Sequence, residues 1–453
     1  MRSRGVGTRV ALLLAAAGVV LGAPSLAKAQ AQAGVVVDAQ GVLHTKMFAD
    51  PGGMLTQQRI AAAKAALDPE LATHSPIRYI SLNRLEAAIA QRQGAPTDAM
   101  RNLGGLLRVK YVFYFPESKD IVIAGPAEGW MVDPAGRTVG IQSGRPVVQL
   151  QDLVVALRAF PPGRSGEKLI GCSIDPTPEG LAAMQRFLQT IGSRATPNDT
   201  QYIVEGLQTS LGLQKVSING VSPKTHFAQV LVEADYRMKL IGIGLEQPPI
   251  RLVSYVERAN PSQVSRNAMQ RWFFTPDYQC VRVSEDRLAM ELVGDGVKLV
   301  GENEMVTAGG QRQTTTRTNK ASQAFVTGFT QKYPQLAERS PVYAELRNLI
   351  DLSVAAAFIQ QEGYCQKAGW NMELFGDERQ FAVETYHAPQ MVATAVNAIW
   401  KGRQLMTPVG GGVSIHAEQA LQDQNLLADD AGQVAKAHQG TKLDLAEGQW
   451  WWD

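Results

Sequence analysis

Residues 226–241 (HFAQVLVEADYRMKLI) carry the strongest helical signal in the chain. Thr225 stands at the N-cap position, where its hydroxyl can accept a backbone N–H from the first turn. Phe227, Val230, Leu231, Ala234, Met238 and Ile241 recur at helical spacing and fall on one stripe. Glu233 with Arg237, and Asp235 with Lys239, are four-apart pairs in the favourable order. Gly242 and Gly244 end the run. The spacing predicts an amphipathic helix whose apolar stripe needs a second layer to cover it and whose ion pairs lie on a solvated side.

The segments around this helix supply strands. Residues 30–165 read as hairpins interleaved with helices. Val35–Val37 and Val42–Phe48 flank the turn 38–41, Ser81 caps a helix through Gln93, and Arg108–Phe115 returns through Ile121–Ile123. A further hairpin turns at 133–136, and Pro161-Pro162-Gly163 marks a boundary. Residues 166–300 alternate strand (Lys168–Ile174), helix (Pro178–Ile191, capped by Thr177), helix (Thr200–Leu211) and strand (Lys215–Ile218), then end in hairpins. Residues 301–322 hold almost no large apolar side chain and read as a polar linker or loop. The remainder, 323–453, reads as mainly helical, with helices from Pro341 to about Gln361 and from Met391 to Trp400, and an acidic tail ending in Trp450-Trp451-Trp452-Asp453. The expected fold class is α+β, with mixed hairpin-rich sheets, packed helices and a helical C-terminal region.

Arg2, Arg4 and Arg9 precede the apolar run Val10–Leu21, which is too short to span a bilayer, and Ala27-Lys28-Ala29 presents small residues where a signal peptidase reads. The chain is therefore expected to be exported, periplasmic or extracellular, with residues 1–29 cleaved after Ala29. That cut removes four cations and no acid, turning the formal charge from +2 to −2. A nucleic-acid partner, which needs a basic face, is not expected, nor is a transmembrane segment after the leader. Cys172, Cys280 and Cys365 are an odd count for an oxidising space, so at most one internal disulfide can form. The cysteine spacing and six scattered histidines point to no metal site, and no glycine loop points to a cofactor.

The blocks 171–180 (GCSIDPTPEG), 226–244, 280–301 (CVRVSEDRLAMELVGDGVKLVG) and 340–351 (SPVYAELRNLID), with the terminal tryptophans, resemble a family of exported bacterial proteins known as domain of unknown function 1598. The resemblance implies no activity, cofactor or catalytic residue.

Four residues are the candidates for chemistry. Glu233 and Asp235 could serve a carboxylate-dependent hydrolase, although at 100° per residue they lie about 200° apart around the helix and do not converge. Asp175, with Glu179, flanks the turn into the helix at Pro178, where an acid also complements the positive helix end. Cys172 sits at a strand end before that helix and could be a nucleophile, a buried core residue or half of a disulfide with Cys280. His226 reads as a first-turn helix residue. Trp450, Trp451 and Trp452 could contact a partner or tuck back onto their own domain. The leading expectation is a non-catalytic interaction or scaffold protein of the envelope or extracellular space, whose partner is a protein or an envelope polymer. An exported hydrolase and a ligand-binding module are the alternatives.

Overall fold

The computed structural model describes residues 32–163, 166, 168–191, 196–259, 268–306, 312–314, 319–397, 409–443 and 445–453. The leader read at residues 1–29 lies outside them. The first part of the chain forms β1 (Gln32–Val37), β2 (Val42–Phe48), α1 (Met54–Ala66), α2 (Pro69–Ala72), β3 (Ser75–Ser81), α3 (Leu82–Gln91), α4 (Asp98–Arg101), β4 (Tyr111–Phe115), β5 (Asp120–Ala127), β6 (Trp130–Val132), β7 (Thr138–Gly140) and α5 (Leu150–Ala159). The middle forms β8 (Ile170–Asp175), α6 (Pro178–Ile191), α7 (Thr200–Leu211), β9 (Gln214–Asn219), α8 (His226–Gly242), α9 (Tyr255–Arg258), β10 (Ala268–Pro276), β11 (Val281–Val283), β12 (Ala289–Leu292) and β13 (Val297–Val306). Then come β14 (Arg312–Thr314), α10 (Lys320–Arg339), α11 (Pro341–Gln361), α12 (Tyr364–Ala368), β15 (Met391–Val392), β16 (Val409–Ile415), α13 (Gln433–Gly440) and β17 (Trp451–Trp452). The fold is α+β. No helix among the described residues is long and apolar enough to cross a membrane.

Local chemistry explains the element boundaries. Asp38 accepts from the backbone N–H groups of Gln40 and Val42 at 2.9 Å, closing the β1–β2 turn. Ser81 caps α3 through Arg84 N, Thr177 accepts from Gly180 N at 3.0 Å at the start of α6, and Thr225 accepts from Ala228 N at 3.2 Å at the start of α8.

One sheet runs β1-β2-β15-β9-β8-β16-β10-β13-β14, and a second runs β11-β12-β4-β5-β3-β17. The larger sheet draws strands from 30–165, from 166–300 and from 323–453 alike. Its central strand is β8, and beside it lies β16, antiparallel to β8 and parallel to β10. The run Gly410-Gly411-Gly412 is what lets it in. A Cβ on Gly411, whose φ is +140°, would sit 1.9 Å from the Trp272 carbonyl oxygen, and one on Gly412 would sit 2.0 Å from that of Cys172.

Three expectations are corrected here. α8 is not amphipathic: 14 of its 17 residues are buried, including Glu233, Asp235, Arg237 and Lys239, because β8 and β16 cover one side and α11 the other. Residues 301–306 and 312–314 are not a linker but strand, since the β10–β13–β14 ladder needs backbone groups and not apolar side chains. Residues 391–392 are strand, where a helix from Met391 was expected, because Met391 and Val392 bridge β2 to β9; residues 398–400 lie outside the described residues.

Candidate functional site

Helix α8 separates two buried clusters of charge. On one side, Glu233 accepts from Arg137 and, at 3.3 Å, from Arg237. Arg137, delivered by the turn before β7, also donates to Glu345 of α11 at 2.9 Å, and Arg237 donates to Glu246 at 2.6 Å. At the N-terminal end of α8, His226 Nδ1 lies 2.9 Å from Asp152 Oδ2 of α5. Burial opposes charge on this imidazole, but Asp152, and after it Glu345, outweigh burial and hold its pKa at about 9. Asp152, His226, Glu345 and Asn348 border a cavity of only about 10 Å³, the space of a single water. The side-chain amide oxygen of Asn348 has no hydrogen-bond partner among the described residues.

On the other side, Lys239 donates to Asp235 at 2.9 Å and to the Ile174 carbonyl at 3.1 Å. Asp175, at the end of β8, pairs with Arg271 of β10 at 3.3 Å. Burial raises the Asp235 carboxyl to about 6 against the pull of Lys239. Its Oδ1 has no partner among the described residues. Cys172 is buried on β8, and burial followed by the Asp235 charge pushes its thiol well above the ordinary range, the reverse of what a thiolate nucleophile needs. All three cysteines are free and buried, so Cys172 and Cys280 are not bonded to each other.

The structure thus brings together three of the four candidates, Cys172, Asp175 and Asp235, and puts Glu233 on the opposite side of α8. Their cluster is closed: Asp235 is fully buried. Glu179 lies in the first turn of α6, and His226 is the first residue of α8. The tryptophans lie elsewhere. Trp451 and Trp452 form β17 at the edge of the smaller sheet, and Trp450 is buried.

A groove opens at β9. Thr177, Leu213, Lys215, Val216, Ile218, Pro223 and residues 388–391 line about 520 Å³, within the range of small-ligand pockets. It exists because β15 pairs with β9 only at Gln214 and Lys215. The preceding chain gives one more bond, Val216 N to Gln390 O at 2.8 Å, and is then held away by Tyr386 N donating to Lys224 O at 2.9 Å. Of the groove's lining side chains, only Lys215 is charged.

Arg137, Asp152, Arg271, Glu345 and the groove were not singled out from the sequence. Glu345 left one trace, as one of two acids, with Asp351, inside the largely apolar run of α11, where a charge has to find a partner. The groove left none, since 388–391 meets β9 across more than 170 residues of chain. Among the described residues no three or more His, Cys, Asp or Glu side chains are grouped to hold a metal ion.

No curated protein and no solved structure matches the chain. Residues 172–255, which run from β8 through α8 to the start of α9 and carry Cys172, Asp175, Glu233 and Asp235, match the family model described as "Protein of unknown function (DUF1598)", which supports the resemblance to that family.

Proposed function

We propose that this chain is an exported protein acting by interaction, in the envelope or outside the cell, and that the groove beside β9 is the surface it uses. One observation carries the reading: the sizeable concavity is lined mostly by apolar side chains, with Thr177, Gln390 and a single charge on Lys215, whereas Glu233 and Asp235 lie elsewhere, in buried ion pairs. Charge-poor apolar surface is the composition of a contact surface, while acid–base catalysis needs ionisable groups facing a substrate. Export is supported by the arginines, the apolar run and the Ala27-Lys28-Ala29 site in the leader.

The test is site-specific photo-crosslinking in intact cells, with the photoreactive side chain at Leu213, which is 41% exposed in the groove, and a control at the exposed turn residue Ser118. A discrete adduct from Leu213 and none from Ser118 is expected. Equal labelling from both positions contradicts the reading. N-terminal sequencing of the cellular protein should begin at Gln30.

A second reading rests on the Asp235 carboxyl, raised to about 6 near Asp175, which Arg271 contacts. A buried carboxyl raised in this way beside a second acid is a feature of acid–base sites in hydrolases. Hydrolysis of an envelope polymer that disappears in Asp175→Asn would favour it.

A further inference from the structure

The Trp-rich tail sits in a built socket. Trp451 and Trp452 pair antiparallel with Ile80 and Tyr79 of β3, and Ser81 N donates to Trp450 O at 2.9 Å. Beneath them lies Arg78, a guanidinium with no exposure at all. Its Nε and Nη2 donate to the two side-chain oxygens of Asp453 at 2.7 and 2.8 Å, and its remaining N–H groups reach backbone carbonyls, including that of Glu70 at 3.2 Å. The guanidinium carbon is 4.7 Å from the Trp451 ring centre, and Trp452 stacks on Tyr79 at 5.1 Å and 14°. Ladder bonds, two aromatic contacts and a bidentate charge pair are the elements by which a sheet edge recognises an added peptide strand.

We propose that the β3 edge with Arg78 is a strand-receptor site, and that the occupant able to replace the chain's own tail is the tail of a second copy, giving a strand-exchanged dimer. A second copy reproduces every contact, including the Arg78–Asp453 charge complement, so exchange needs no new complementarity. Residues 441–449 join α13 to the docked Trp450 with no helix or strand among those described, and nine residues can span at most roughly 30 Å. The tail can therefore reach beyond its own edge.

The test uses two full-length proteins. In one, Arg78→Met breaks the socket and leaves the tail intact. In the other, Trp451→Ala with Trp452→Ala breaks the tail and leaves the socket intact. Mixing should give a heterodimer that neither forms alone, read by analytical ultracentrifugation. The tail-broken protein should also bind a labelled QWWWD peptide, and roughly tenfold or more weakly when the peptide ends in Asn, the loss expected for a charge-assisted pair. The peptide arm holds even where Arg78→Met does not fold. A tail-broken protein, folded by circular dichroism, that ignores the peptide at millimolar concentration overturns the receptor site. Binding of peptide without pairing to a folded socket-broken chain overturns the exchange.

Discussion

Glu233 and Asp235 stand two positions apart on one helix and take part in different networks. A carboxylate inside a protein persists only with a counter-charge and hydrogen bonds, since the cost of desolvation is several kcal/mol per ion. Each has one: Arg137 and Arg237 for Glu233, Lys239 for Asp235. Asp235→Leu alone should therefore destabilise by about 3–5 kcal/mol, because Lys239 stays buried without its partner, whereas Asp235→Leu with Lys239→Met should recover most of the loss, measured by urea unfolding. His226 gives a pH signature. Its pKa is about 9 when folded against an ordinary 6.5, so its contribution is fully present below pH 6.5 and is lost as pH rises through 9. The shift corresponds to roughly 3 kcal/mol at most, and thermal unfolding of His226→Gln should show a flatter decline between pH 6.5 and 9 than the unsubstituted protein. The four-apart pairs on α8 were legible from spacing alone. Their burial was not, because spacing shows which residues share a side of a helix and not whether a second layer covers that side.

At the scale of elements, α8 and β16 show what local pattern can and cannot carry. Caps announced themselves: Ser81, Thr177 and Thr225 begin α3, α6 and α8 as their side-chain chemistry requires. Strand β16 did not, because three consecutive glycines carry no strand pattern and their value lies in what they let approach. Gly411→Ala should be severely destabilising, by about 3 kcal/mol or more, since the new methyl meets the Trp272 carbonyl and the φ of +140° disfavours any side chain. The check is the unfolding midpoint of that variant against Gly440→Ala, where a Cβ meets nothing within 4 Å. Residues 301–306 of β13 and the edge strand β14 escaped notice for the opposite reason, being polar where a strand was expected to be apolar.

Across the whole molecule, the sheet order could not be read from the chain order. β15 and β16, both late in sequence, fill gaps between strands more than 100 residues earlier, and such pairings leave no local periodicity. A chain ending at residue 397 lacks β16 and leaves β8 and β10 without their shared neighbour, so it should lose the cooperative unfolding transition of the full chain. The same long-range closure makes the groove, from β9 on one wall and residues 388–391 on the other. The most direct test of its role is the crosslinking yield from Leu213 in two backgrounds. Met391→Arg, which places a charge in the groove, should abolish the adduct, while Asp175→Asn should leave it unchanged. An adduct that survives Met391→Arg and disappears in Asp175→Asn would contradict the assignment of function to the groove.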